Sequence, residues 1–212
     1  MGIINNATVI LSCHSIKQII VMKVLRIIVL GLTCAGFVNQ LQASDLEIAL
    51  GSDTAQFTFR SDSSMIGWGG ADLGFSLLYN DADDLLGEIS LMQTSVPSEQ
   101  NRFTLGVGVK AYLGRIDLVD DNIMALGIGG EVRYTFPGSM PMAVYLGGHI
   151  APEITSFGDT DGIVEYVLGF QIELLPQTIA FVGLRNIEIE NDNSFDYTLV
   201  DSDVHIGVRL TF

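Results

Sequence analysis

The sequence predicts an all-β fold, an antiparallel, up-and-down transmembrane β-barrel of ten strands. Three observations carry that expectation. Apolar residues recur at every second position, and no stretch of useful length has the 3.6-residue period of a helix. Most of the alternating runs last about 11–15 residues, against about 5–6 for a strand of a soluble protein. The connections switch between short turns and acidic, mostly longer segments, the pattern of barrels that put tight turns on one side of a bilayer and loops on the other. Composition agrees: 212 residues with 23 glycines and a formal charge of −15 stand beside a mean hydropathy of +0.41.

Residues 1–43 read differently and form a leader. From Met22, the segment MKVLRIIVLGLTCAGFVNQLQA places Lys23 and Arg26 before a 12-residue apolar stretch, Ile27 to Val38, and a small residue at Ala43. A basic start, a short apolar run and a small residue at the cut are the parts of a secretory signal. Twelve residues are too few to span a bilayer, which needs about 20 in a helix. Cleavage after Ala43 and a true start at Met22 are therefore expected, with a long basic leader as the alternative. Cys34 lies inside the apolar run without the small residue that precedes a lipidated cysteine. Removing residues 1–43 takes away both cysteines and three of the ten basic residues, leaving seven against 25 acidic and a charge of −18. Such a surface repels nucleic acid and leaves no thiol chemistry.

Strands are expected at about 45–51, 54–60, 69–79, 84–95, 101–113, 122–136, 141–154, 162–175, 178–190 and 201–212. The first two are short and joined by Gly51-Ser52-Asp53, so eight strands plus a small hairpin is the competing count. PSEQ (97–100), PGSMP (137–141) and LPQ (175–177) make the short turns. NDADD (80–84), GRIDLVDD (114–121), TSFGDTDG (155–162) and NDNSFDYTLVDS (191–202) make the acidic loops. An even strand number puts both termini on the side of the short turns.

Each long strand has two chemically distinct faces. Phe103, Leu105, Val107, Val109, Ala111 and Leu113 oppose Arg102, Thr104, Gly106, Gly108, Lys110 and Tyr112, and the following strands repeat the division. A soluble barrel would turn the apolar face inward, a membrane barrel outward. The polar face is rich in glycine, which suits a crowded lumen where Arg, Lys and Tyr side chains need space. Lipid outside is thus the expected orientation. The lumen then holds a charge network of Lys110, Glu131, Arg133, Glu165, Glu173, Arg185, His205 and Arg209, with Tyr145 and His149 nearby. Acids and bases are similar in number and can pair, which predicts a plugged, salt-bridged interior. Trp68, Tyr79, Tyr112, Tyr134, Phe136, Tyr166, Phe170 and Phe212 lie near strand ends, where rings can sit at headgroup level.

Val204, Ile206, Val208, Leu210 and Phe212 alternate to the last residue. This is the form of an outer-membrane insertion signal, addressed to the barrel-assembly machinery. The stretches LEIALGSDTAQFTF (46–59), FTLGVGVKAYLG (103–114), GIGGEVRY (127–134), APEITSFGDTD (151–161), EYVLGFQIELLPQ (165–177), FVGLRNIEIE (181–190) and HIGVRLTF (205–212) together resemble the YfaZ-type predicted outer-membrane proteins of Gram-negative bacteria. The resemblance implies a small outer-membrane barrel and brings no catalytic residues with it.

Chemistry is sparse. An outer-membrane lipid enzyme would need a nucleophile with histidine and carboxylate in reach. His149, followed by Glu153, Ser156 and Asp159, and His205, beside Asp203, are the candidates, and satisfied lumen histidines are the expectation for both. The Gly-Val-Gly and Gly-Ile-Gly-Gly runs lack the helix of a phosphate loop. Asp81, Asp83 and Asp84, Asp159 and Asp161, and Asp192 and Asp196 lack the spacing of a calcium loop and read as solvated acidic loops, with weak divalent bridging to lipopolysaccharide as the alternative. No cofactor, metal or catalytic residue is expected. The partners are outer-membrane lipid and lipopolysaccharide. A structural or surface-interaction role comes first, a narrow channel for small solutes or ions second, a lipid-modifying enzyme third.

Overall fold

In the computed structural model the alternation closes into a ring. The structure describes residues 44–63, 70–95, 102–116, 121–191 and 197–212, all within one compact unit, 42–212. The leader, Cys34, Trp68, the 97–100 turn, Asp192 and Asp196 lie outside the described residues. The strands are β1 (Ser44–Leu50), β2 (Thr54–Asp62), β3 (Asp72–Asn80), β4 (Leu85–Thr94), β5 (Phe103–Ile116), β6 (Asp121–Thr135), β7 (Met142–Ala151), β8 (Ser156–Gly158), β9 (Thr160–Leu175), β10 (Thr178–Asn191) and β11 (Tyr197–Thr211). Ten of them form the wall in the order β5-β4-β3-β2-β1-β11-β10-β9-β7-β6, and β6 pairs back onto β5. All pairings are antiparallel. The three-residue β8 continues the wall where β7 has ended, pairing Ser156–Gly158 with Ile123–Ala125 of β6 after a single 3-10 turn at Glu153–Thr155.

The alternative count of eight strands and a hairpin is overturned: β1 and β2 are part of the ring. β1 pairs with β11 from Asp45↔Thr211 to Leu50↔Ile206, and Ser44 and Phe212 exchange both backbone hydrogen bonds at 2.9 Å. The short Gly51–Asp53 turn is tied to the same seam. Asp203 on β11 accepts from the Ser52 backbone N–H (3.1 Å), Ser52 Oγ (2.7 Å) and Thr54 Oγ1 (2.6 Å). Asp203→Ala removes all three bonds and is expected to cost about 1–3 kcal/mol. The readout is a lower temperature at which the folded gel band converts to the slower unfolded one.

The apolar face points outward. Ile48, Phe75, Ile89, Leu105, Val107, Ile128, Leu146, Leu168, Val182, Ile206 and Val208 are exposed on nine of the ten wall strands, far more apolar surface than water tolerates on a soluble monomer. Phe103 and Tyr134 (ring centroids 4.9 Å) and Tyr134 and Phe136 (5.2 Å) form a cluster at the end that carries the termini, as an interfacial aromatic girdle does. Tyr112, expected among those rings, is instead fully buried in the lumen, on the face where its own alternation put it.

Two features depart from the sequence reading. The connections at the far end are not longer than those at the end with the termini. β5 runs on to Ile116, β6 begins at Asp121 and β11 begins at Tyr197, so residues read as loop are wall. The same strands also reverse their chemistry near the far rim. Outward positions change from apolar to Arg115, Asn122, Glu188, Glu190 and Thr198, all exposed. Inward positions change from polar or glycine to Ile116, Ile123, Ile163, Ile187, Ile189 and Leu199, which pack with Leu78, Leu86 and Tyr112 as the buried apolar cluster of the chain. In β10 the reversal coincides with register irregularities at Arg185–Glu188. The wall thus has two parts: a lipid-facing band with a polar lumen, and above it a collar with a mainly apolar interior and an exterior that mixes these polar residues with Leu85, Met124 and Phe157.

Candidate functional site: the polar lumen

Inward-facing residues of the band enclose a cavity of about 300 Å³. Its space comes from glycines placed opposite bulky side chains on neighbouring strands. Tyr145 pairs with Gly169, His149 with Gly129, His205 with Gly183 and Phe181 with Gly207. Each large side chain lies across the glycine beside it: a Cβ at Gly169 would stand 2.3 Å from the Tyr145 ring, and one at Gly207 would stand 2.2 Å from Phe181.

Charges in the lumen are arranged in three groups. At the seam, Glu47 of β1 accepts from Arg60 of β2 (2.9 Å) and Arg209 of β11 (2.7 Å), so one carboxylate joins three strands. On β6, Arg133 reaches back to Glu131 (2.7 Å) and lies over the Tyr145 ring, 5.7 Å from its centroid. Deeper in the lumen, Lys110 of β5 donates to Glu165 of β9 (2.7 Å) and more distantly to Glu88 of β4 (3.5 Å). Tyr112 Oη also donates to Glu165 (2.7 Å), and Gln56 Nε2 to Glu88 (3.4 Å). In a medium of low effective dielectric, paired charges of this kind crosslink strands more firmly than surface pairs do.

Of the eight residues expected to form the network, Lys110, Glu131, Arg133, Glu165 and Arg209 form ion pairs. Glu173 stands at the mouth beside Gln171 and Ile179, away from the pairs. His205 is buried with its ring against Phe181, centroids 6.0 Å apart. Arg185 lines the cavity without an ion pair to any described residue. Sequence reasoning missed Glu47, Arg60 and Glu88. Their signal was present, since each occupies a polar position of the alternation beside apolar neighbours (Leu46-Glu47-Ile48, Phe59-Arg60, Glu88-Ile89).

The catalytic candidates are not brought together. His149 is buried in the lumen wall, whereas Ser156 Oγ donates to the Pro152 carbonyl (3.1 Å) and Asp159 accepts from the Asn122 backbone N–H (3.3 Å). The Asp203 carboxylate accepts its hydrogen bonds from Ser52 and Thr54. Asp84, read as part of a solvated acidic loop, is instead fully buried at the collar. It accepts from Asn80 Nδ2 (2.9 Å) and Tyr197 Oη (2.5 Å), tying the β3–β4 turn to β11. Among the described residues no group of three His, Cys, Asp or Glu side chains could hold a metal ion.

The profile described as "YfaZ precursor" matches residues 23–212. The chain belongs to the YfaZ family. Among curated proteins none matches it. Solved structures similar to this YfaZ barrel include the outer membrane channel DcaP of Acinetobacter baumannii, at 10% identity and a TM-score of 0.37, with 78% of this chain and 54% of that one covered. A bacterial polysaccharide outer membrane secretin is similar at 12% identity and a TM-score of 0.43 over 83% of this chain and 66% of that one. The A. baumannii outer membrane protein Omp33 is similar at 8% and 0.32 over 81% and 98%. The YfaZ chain thus spans about half to two thirds of the length of the first two. With lipid-facing apolar residues around a closed antiparallel ring, this YfaZ chain is an outer-membrane β-barrel.

Proposed function

We propose that this barrel is a non-conducting, non-catalytic protein of the outer membrane, with a structural or surface-interaction role and with its termini on the periplasmic side. The observation that supports the closed reading is the apolar cluster inside the collar, where Leu78, Leu86, Tyr112, Ile116, Ile123, Ile187 and Ile189 meet at zero to three per cent exposure. An ion crossing that layer would shed its hydration among mostly apolar side chains, and the polar groups buried beside them, Asn80, Asp84 and Asn186, are already hydrogen-bonded, a barrier of the kind that dewetted constrictions present. In this reading the ion pairs brace the wall and the apolar collar closes the end.

The family's precursor description supports a removable leader, which in this proposal begins at Met22 and ends at Ala43. The outward row of Val204, Ile206, Val208, Leu210 and Phe212, all exposed on the closing strand, supports its role as the signal that the assembly machinery reads. Lipopolysaccharide and lipid are the partners that this outer surface would meet. Purified barrel in planar bilayers is expected to show no discrete conductance steps. Regular steps would overturn the proposal in favour of a narrow solute channel, and an altered lipid A mass profile in a deletion strain would overturn the non-catalytic part.

A further inference from the structure

We propose that the lumenal cavity binds a small zwitterion of the α-amino-acid class, Arg185 taking its carboxylate and Glu88 its ammonium group. The four other cations that line the cavity, Arg60, Lys110, Arg133 and Arg209, each hold a carboxylate within 2.9 Å. Arg185 holds none at ion-pair distance among the described residues, with Glu88 and Glu165 only in its longer electrostatic reach, and its Nε is buried with no protein partner. Three further buried atoms of the cavity lining are likewise without a protein partner: Glu88 Oε1, Gln56 Oε1 and His149 Nε2. Their residues are four, five and seven per cent exposed. Buried polar atoms are paired almost everywhere in folded proteins, so several unpaired ones around a single cavity point to an occupant.

Placement fixes the chemistry of that occupant. In the ring of ten, β4 and β10 are five places apart in either direction, so Glu88 and Arg185 face the lumen from opposite walls. A lone anion at Arg185 would look across at Glu88, and a lone amine at Glu88 would look across at Arg185. A molecule carrying one charge of each sign satisfies both and leaves the lumen's charge unchanged. Gln56 Oε1, on the side chain that already donates to Glu88, adds a second acceptor for the ammonium. The cavity volume of about 300 Å³ limits the ligand to a small side chain. Asp45, Asp72 and Thr94, which belong to the end that carries the termini, also line the cavity, so entry is from that end. The inference rests on the reading that the collar closes the other end, which conductance tests separately.

The test uses the full-length mature chain refolded in detergent micelles, with L-alanine, propionate, ethylamine and glycerol as calorimetric probes. L-Alanine is expected to bind with a stoichiometry of one, and the other three at least about tenfold more weakly, a difference of about 1.4 kcal/mol. Arg185→Gln and Glu88→Gln are each expected to weaken alanine binding by a similar factor or more. Equal binding of propionate, ethylamine or glycerol, or no binding of alanine, overturns the proposal. Heat-modifiable gel mobility shows whether the variants have folded. Where one has not, the His149 imidazole resonances of the unsubstituted chain must shift with alanine and not with propionate, and their failure to do so is equally decisive. Conductance steps without alanine binding would count against both readings, steps with binding only against closure.

Discussion

Gly129→Ala is expected to abolish the folded, heat-modifiable form of the barrel, while Gly138→Ala leaves it unchanged. A Cβ at Gly129 would stand 2.1 Å from the Gly148 carbonyl oxygen and 2.7 Å from the His149 Cα. Both contacts are backbone atoms of the adjacent strand β7, so no rotamer change relieves them, and the β6–β7 ladder itself must open. Inserting one methyl group into a packed core costs about 1–3 kcal/mol when side chains can shift. Here the cost is expected to exceed that range because the shift must be made by a strand held on both sides. At Gly138, in the turn between β6 and β7, the nearest atom to a Cβ is 3.7 Å away, an ordinary contact. Outer-membrane yield and gel mobility of the two variants make the comparison. Equal yields would show that the ladder yields more readily than its geometry implies.

Glu47→Ala is expected to destabilise the seam by about 3 kcal/mol, the lower end of the range for breaking a buried ion pair. The carboxylate is the common acceptor of Arg60 and Arg209, and its loss leaves two guanidinium groups facing each other. Arg209 is only 11% exposed in its side chain and loses the most. Arg60, at 35%, recovers part of its hydration, which keeps the effect from reaching the top of the range. Glu47→Gln restores the shape and one acceptor without the charge and should fall between the two. Urea unfolding in lipid vesicles followed by tryptophan fluorescence measures all three. A null effect for Glu47→Ala would mean that the two arginines find water within the cavity. The substitution also separates seam strength from lumen chemistry, since neither Arg185 nor Glu88 contacts Glu47.

Much of the wall was legible because period-two alternation and turn residues are local signals. All ten wall strands lie within a few residues of their expected positions, and the glycine-rich face turned inward as its crowding argument required. The collar was not read, although its signal stands in the sequence. In FVGLRNIEIE the charges of Glu188 and Glu190 occupy the same outward rank as the apolar Val182 and Leu184, so the face changes character part-way along one strand. Interpreting that change requires knowing where along the strand the hydrocarbon ends, which no window of residues states. Three lumen partners were missed because the two faces were read from the long strands, β5 onward, and Glu47, Arg60 and Glu88 lie on β1, β2 and β4. Asp84 was misread because a sequence shows an acid but not the tyrosine, 113 positions away, that donates to it. The three-residue β8 carries no periodic signal at all; it exists because the exposed edge of β6 lacks a partner above Ile128.

The reversal within single strands means that the molecule answers to two solvents. Its lower half is held by the exclusion of lipid tails from a polar interior and its upper half by the exclusion of water from a greasy one. An agent that weakens aqueous burial, such as urea, therefore acts first on the stopper, whereas a change in bilayer thickness acts first on the embedded staves.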